Sequence, residues 1–148
     1  MARRKDHLPE ELKELATDAV VAFLQSQPAS QLSLRQVAKT IGYSPGTLIN
    51  LFGSYAYLLL AANAKTLDRL GEEIRQAMKT SPAPEEQLFQ AAKAYLSFAR
   101  QHPYQWQILF EHHLNEDEDI PQWQLSRING LFSVIEQILA EINPDASQ

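Results

Sequence analysis

Ser44, Thr47 and Asn50 stand three residues apart in the stretch YSPGTLINLF, and their side chains are of the kinds that read nucleic-acid edges. An Asn amide can make paired hydrogen bonds to adenine, worth about 1–3 kcal/mol of discrimination against other bases. Thr47 offers a methyl to thymine and a hydroxyl to a base or a phosphate. On a helix a spacing of three keeps such residues on one face. The start signal for that helix is Ser44-Pro45: the serine caps, and the proline takes the first helical position, where a missing N–H costs nothing. Gly46 lies beside this end, whose outward backbone N–H groups can meet a phosphate. The same features also describe a plain helical corner, because many helical hairpins carry Gly at the turn and Ser at the cap.

The elements that must hold this face read as helices throughout. Prolines and glycines separate segments of helical periodicity, and no run alternates with period two. A first helix is expected from Pro9, with Leu12, Leu15, Ala16, Ala19, Val20, Phe23 and Leu24 on its inner stripe, ending before Pro28. Ser33 opens a second as a capping box with Gln36, and Leu34, Val37, Ala38 and Ile41 face inward. Ala38 is small enough for a close crossing, and Gly42 permits the positive φ that a tight corner needs. The third helix turns Leu48, Leu51 and Phe52 inward and stops at Gly53; Ser54 caps a long fourth that runs to about Lys79. Two short helices around such a turn are the helix-turn-helix pattern.

Beyond TSPAPEE, a fifth helix over Glu85 to Gln101 is expected to face inward through Leu88, Ala91, Ala92, Tyr95, Phe98 and Ala99. Pro103 starts an aromatic sixth, HPYQWQILFEHH, and NEDEDIP is an acidic, solvated break. A last amphipathic helix spans Pro121 to Ile142, with Leu125, Ile128, Leu131, Phe132, Ile135, Ile138, Leu139 and Ile142 as its face. The fold class is all-α. A three-helix head over residues 1–55 is joined by a long helix to a helical body over residues 56–148.

The 148 residues, 45% of them apolar, are enough for a real core. The net charge of −5 speaks against generic nucleic-acid affinity, but it accumulates after Tyr55. Between Asp18 and Asp68 the only charged residues are Arg35, Lys39 and Lys65, and attraction to DNA depends on the local patch. Arg3, Arg4 and Lys5 form a basic arm that could reach a phosphate or the minor groove. The absence of cysteine excludes disulfides and thiolate metal sites and fits a reducing cytoplasm. The N-terminus lacks the apolar core of a secretory signal, and the run Tyr55 to Ala64 is far short of a membrane span.

Other chemistry finds less support. His102, Glu111, His112 and His113 lie near Glu116 to Asp119, but no His pair has the i, i+4 spacing of a metalloprotease helix. Neither a nucleophile–base arrangement nor a phosphate-binding glycine loop is present, so no catalytic residue, metal or cofactor is expected. Tyr95, Phe98, Trp106, Phe110, Trp123 and Phe132 could line a small-molecule pocket or simply fill a core.

The segment LSLRQVAKTIGYSPGTLINLFGSYAYLLLAAN resembles the DNA-binding domain of the TetR family of bacterial transcriptional regulators. The resemblance rests on Leu32 to Arg35, Val37-Ala38, Gly42 to Leu48 and Phe52 to Ser54, about a third of the chain with its flanks. AYLSFARQHPYQWQILFEHHL, through His102-Pro103 and the stretch Trp106 to Phe110, is similar to the C-terminal domain of one branch of that family. Where members often place Tyr, His and Lys against phosphates, this chain has Ile49, Leu51 and Tyr55. The resemblance implies a DNA face made of Arg35, Lys39, Ser44, Gly46, Thr47, Asn50 and Tyr55, the last through its hydroxyl. It also implies a cytoplasmic bacterial repressor, not an enzyme and not membrane-bound. The implied partners are a second copy of the chain, a palindromic double-stranded DNA operator and a small-molecule effector. Members run longer, with two late helices per subunit in the dimer interface, so the body is expected to be shortened or incomplete, and Pro121 to Ile142 is the expected interface remnant. The alternative expectation is a helical ligand-sensing or protein-interaction module that kept the fold and lost strong operator binding.

Overall fold

The computed structural model describes residues 7–147, and the basic arm at Arg3 to Lys5 lies outside them. Among the described residues there are helices and no strands, so the chain is all-α. The helices are α1 (Pro9–Phe23), α2 (Leu34–Ile41), α3 (Pro45–Phe52), α4 (Tyr55–Met78), α5 (Pro84–Gln101), α6 (Pro103–Glu111) and α7 (Gln122–Ile142). Short 3-10 turns follow α1 and α7.

Local chemistry sets most of the boundaries. Pro9, Pro45, Pro84 and Pro103 each open a helix at the position where proline is tolerated. At α1 the Glu11 carboxylate reaches back to the Leu8 N–H at 3.2 Å. Ser33, Ser44 and Ser54 each accept a backbone N–H three residues on, at 3.2, 3.2 and 3.1 Å. Gly42, at φ 79° and ψ 30°, turns the chain out of α2 in the left-handed region. Gly53, at φ 92° and ψ −41°, makes the break before α4, and the axes of α3 and α4 differ by 69°.

Two cores hold the molecule. The first packs Ala16, Val20 and Leu24 of the α1 end against Val37, Ala38, Leu48, Leu58, Leu59 and Ala62. Ile108 of α6 enters the same cluster, so α6 packs into the core formed by α1 to α4. Ala38 is fully buried, as a close crossing of α2 requires. The second core joins Leu70 and Ile74 of α4 to Ala91 and Phe98 of α5, with Trp106, Leu131 and Ile135 packed around them. The long α4 is thus shared, its first half in one core and its second half in the other.

Polar contacts seal the junction. Lys65 of α4 pairs with Glu14 and Asp18 of α1, and Arg127 of α7 grips Asp68 of α4 at 3.1 and 3.2 Å. Asn63 donates to the Ile108 carbonyl at 3.3 Å, and Gln105 donates to the Val21 carbonyl at 3.4 Å. Buried side-chain amides of this kind fix how neighbouring helices sit, because leaving them unpaired is costly.

Several faces differ from the sequence expectation. Ala92 is exposed, and α5 packs through Ala91, Ala94, Tyr95 and Phe98 instead. On α7, Leu131, Ile135 and Ile138 face the body, whereas Leu125, Phe132 and Leu139 are exposed. The apolar residues of α7 extend around more of the helix than one packing partner covers, so periodicity alone assigned too wide an inner face. No single described helix is long and apolar enough to cross a membrane.

Candidate nucleic-acid interface

The corner between α2 and α3 is built from the inside outward. Val37, Ala38 and Leu48 are buried, which locks the back of both helices onto α1 and α4. The opposite side is left open. Arg35, Lys39, Ser44, Gly46 and Asn50 are exposed, and Thr47 is half-buried. Ser44 Oγ lies 2.8 Å from Thr47 Oγ1 while also accepting the Thr47 N–H. The first turn of α3 is therefore ordered before any ligand arrives, with its polar side chains fixed on the surface. A neighbouring anchor orders the preceding turn: His7 Nδ1 lies 2.6 Å from the Tyr43 hydroxyl, which also accepts the His7 N–H at 3.2 Å. This contact between the start of the described chain and the corner is 36 residues long in sequence and was not legible there.

Not every residue of the expected DNA face lies on that surface. Tyr55 packs against the first core, and its hydroxyl is buried without a hydrogen-bond partner among the described residues. Burial pushes its pKa up to about 12. This corrects the expectation that Tyr55 offers its hydroxyl to a phosphate: its ring fills the α3–α4 corner, and its polar tip points inward. Ile49 is 37% exposed, so one apolar side chain stands on the open face of α3 between Thr47 and Asn50.

The six aromatic residues expected to line a pocket do not converge on one cavity. Tyr95, Trp106 and Phe110 do meet: the Tyr95 and Trp106 rings are edge-on at 6.3 Å, and Trp106 and Phe110 are 4.7 Å apart. Phe98 is wholly buried core, its ring centre 4.8 Å from the tilted His102 ring. Phe132 lies on the outer surface of α7. Trp123 stands apart from the others, carrying the Arg127 guanidinium 5.5 Å from its ring centre. It forms part of a cleft of about 490 Å³ between α1, α3, α4 and the start of α7, floored by Leu51, Phe52 and Ala61. A smaller cleft of about 290 Å³ lies between the turn after α1 and α6. Sequence spacing gives which aromatics share a helix, but the helix order in space decides which share a cavity.

The histidines also separate. His102 is held against Phe98, and desolvation lowers its pKa, with Arg69 adding to the effect and Glu73 opposing it. His112 turns to α4, with Nε2 2.9 Å from the Ala56 carbonyl. Desolvation lowers its pKa more than that contact restores it. Among the described residues no three His, Asp or Glu side chains gather in a way that could hold a metal ion. The arrangement supplies an ordered polar helix end on an exposed corner, two exposed cations on the preceding helix and a cleft between α1, α3, α4 and the start of α7. No family model matches the chain, and no curated protein matches its sequence.

Proposed function

We propose that this protein is a sequence-specific DNA-binding regulator of the TetR type, a repressor that acts as a homodimer on a palindromic operator. The observation that carries the reading is the corner itself. The cap and first two turns of α3 leave Ser44, Gly46 and Asn50 exposed and Thr47 half-exposed, while Leu48 anchors the same helix in the core. A recognition helix needs that division, because base contacts come from its N-terminal residues while its back is held rigidly. Asn50 supplies the amide for an adenine, Thr47 the methyl and hydroxyl, and Arg35 and Lys39 supply phosphate contacts that position the head.

Dimerisation draws support from α7. Leu125, Phe132 and Leu139 repeat every seven residues on its exposed side, the spacing of a helix seam. Two heads on such a dimer would read half-sites about 34–36 Å apart, or a multiple of that. The cleft beside Trp123 has the size of small-molecule sites, which run about 300–1,000 Å³, and it touches both head and body. An effector there would release the operator only by binding one spacing of the heads better than the other.

A second reading is favoured by Ile49 and Tyr55. The exposed Ile49 side chain and the inward hydroxyl of Tyr55 leave few side chains for phosphates, which suits a helical ligand-sensing or protein-interaction module that has lost strong operator binding. Selection from random duplexes separates the two. The regulator reading expects one enriched palindrome, and loss of preference at a single position of each half-site in Asn50→Ala. Recovery of no common sequence would favour the sensor reading.

A further inference from the structure

The segment between α6 and α7 carries Glu116, Asp117, Glu118 and Asp119 in succession and reads as a solvated break, yet the structure ties it down. Glu118 accepts a hydrogen bond from the Ser54 hydroxyl at 2.5 Å and one from the Asn115 N–H of its own loop at 3.0 Å. Ser54 Oγ is also the cap of α4, accepting the Tyr57 N–H, so the carboxylate sits at a helix N-terminus, where negative charge is favoured. The Tyr57 hydroxyl donates to the Asp119 carbonyl at 3.0 Å. His112, at the end of α6, meets the Ala56 carbonyl at 2.9 Å; a carbonyl can only accept, so that ring nitrogen carries the proton. Residues 54, 56 and 57 at the start of α4 are thus each held by residues 112, 118 and 119.

We infer that residues 112–119 form a strap that fixes the first turn of α4 to the body and, by holding carboxylates at the α3–α4 corner, restrains DNA binding. The restraint rests on the operator reading above; the tether does not. Ser54 lies two residues beyond Phe52, the last residue of α3, so the Glu118 carboxylate stands at the end of the proposed recognition helix. Any duplex phosphate that comes within about 8 Å of this carboxylate, the screening distance at physiological salt, would meet its charge. Like charges at that range repel, and Glu116 and Asp117 add exposed charge to the same loop. The strap runs on through Pro121 to Trp123, which borders the junction cleft, so a displacement at the start of α7 would reach the corner through it.

Hydrogen exchange on the full chain and duplex binding test both halves, using Glu118→Ala and Glu118→Gln. Glu118→Ala removes the tether and the charge, and amides in the first turn of α4 should exchange about tenfold faster. Glu118→Gln keeps the shape and an acceptor, so exchange there should rise less. Both variants should bind the selected duplex about two- to fivefold more tightly, the size of an exposed charge effect. Unchanged exchange in Glu118→Ala overturns the tether. Unchanged or weaker duplex affinity in both variants, with the wild type binding, overturns the restraint. If none of the three binds any duplex, the operator reading falls and takes the restraint with it, while exchange still judges the tether. Should Glu118→Ala lose helicity by circular dichroism, Glu118→Gln decides through its affinity.

Discussion

The two glycines that shape the corner should respond differently to the same substitution. Gly42 sits at φ 79° and ψ 30°, in the left-handed well, and an added Cβ would meet nothing within 4 Å. The cost of Gly42→Ala is then conformational alone, about 1–2 kcal/mol for an L residue in that region, partly offset by about 0.4–1 kcal/mol from the stiffer unfolded chain. A net loss of about 1 kcal/mol follows. Asn tolerates this region, so Gly42→Asn should cost about half as much. Gly53 lies at φ 92° and ψ −41°, outside that well, and its added Cβ would rest 3.6 Å from Tyr57 Cδ2, an ordinary contact. Space is therefore not the problem at Gly53; backbone strain is, at about 2–3 kcal/mol. Urea unfolding followed by circular dichroism reads the difference. With an m-value of about 2 kcal/mol per molar, the midpoint should fall by about 0.25 M in Gly42→Asn, 0.5 M in Gly42→Ala and 1 M or more in Gly53→Ala. A Gly53→Ala variant as stable as wild type, or a Gly42→Asn variant worse than Gly42→Ala, would refute the assigned backbone geometry of the corner.

Other outcomes follow from the same structure. Phe98→Ala, at a wholly buried site, should cost about 3–5 kcal/mol, whereas Phe132→Ala, 61% exposed in the single chain, should leave monomer stability nearly unchanged; urea midpoints at low protein concentration compare them. Phe132→Glu with Leu139→Glu should abolish the proposed self-association in sedimentation velocity while keeping helicity, and self-association equal to wild type would move the proposed interface off this face of α7. His102 and His112 both have folded pKa values below the ordinary 6.5, chiefly through desolvation, so the unfolded chain binds their protons first. The stability they contribute is full above pH 6.5 and is lost as pH falls through their depressed folded values. Urea midpoints measured downward from pH 7.5 should decline there, and less steeply in His112→Gln; the same slope in that variant would remove His112 as a cause.

Local rules account for what the sequence revealed. Ser33, Ser44 and Ser54 cap because their side chains satisfy backbone groups a few residues away, and Gly42 turns because it alone lacks a Cβ; neither effect needs distant partners. Pro45 and Pro103 mark helix starts for the same reason. What escaped the sequence depends on residues far apart. The inward turn of the Tyr55 hydroxyl follows from packing against the first core. The separation of Trp123 from Trp106 follows from α7 starting beside α1 and α4, while Trp106 packs with the second core. The strap is the clearest case: an acidic run looks like a solvated loop until Ser54, 64 residues earlier, is seen to hold Glu118. The outer row on α7 was visible as apolar residues, but nothing in its period separates the side that faces the body from the side left open.

Whether the α2–α3 corner reads a specific DNA sequence shows in the ratio of affinities for the selected duplex and a scrambled one of equal length, measured on the wild type across a salt series. Specific readers commonly favour their site by about 10³-fold or more at physiological salt. A corner that reads sequence gives such a ratio, falling toward unity in Asn50→Ala with Thr47→Ala, while both duplexes lose affinity as salt rises. A ratio near one at every salt concentration in the wild type would contradict it.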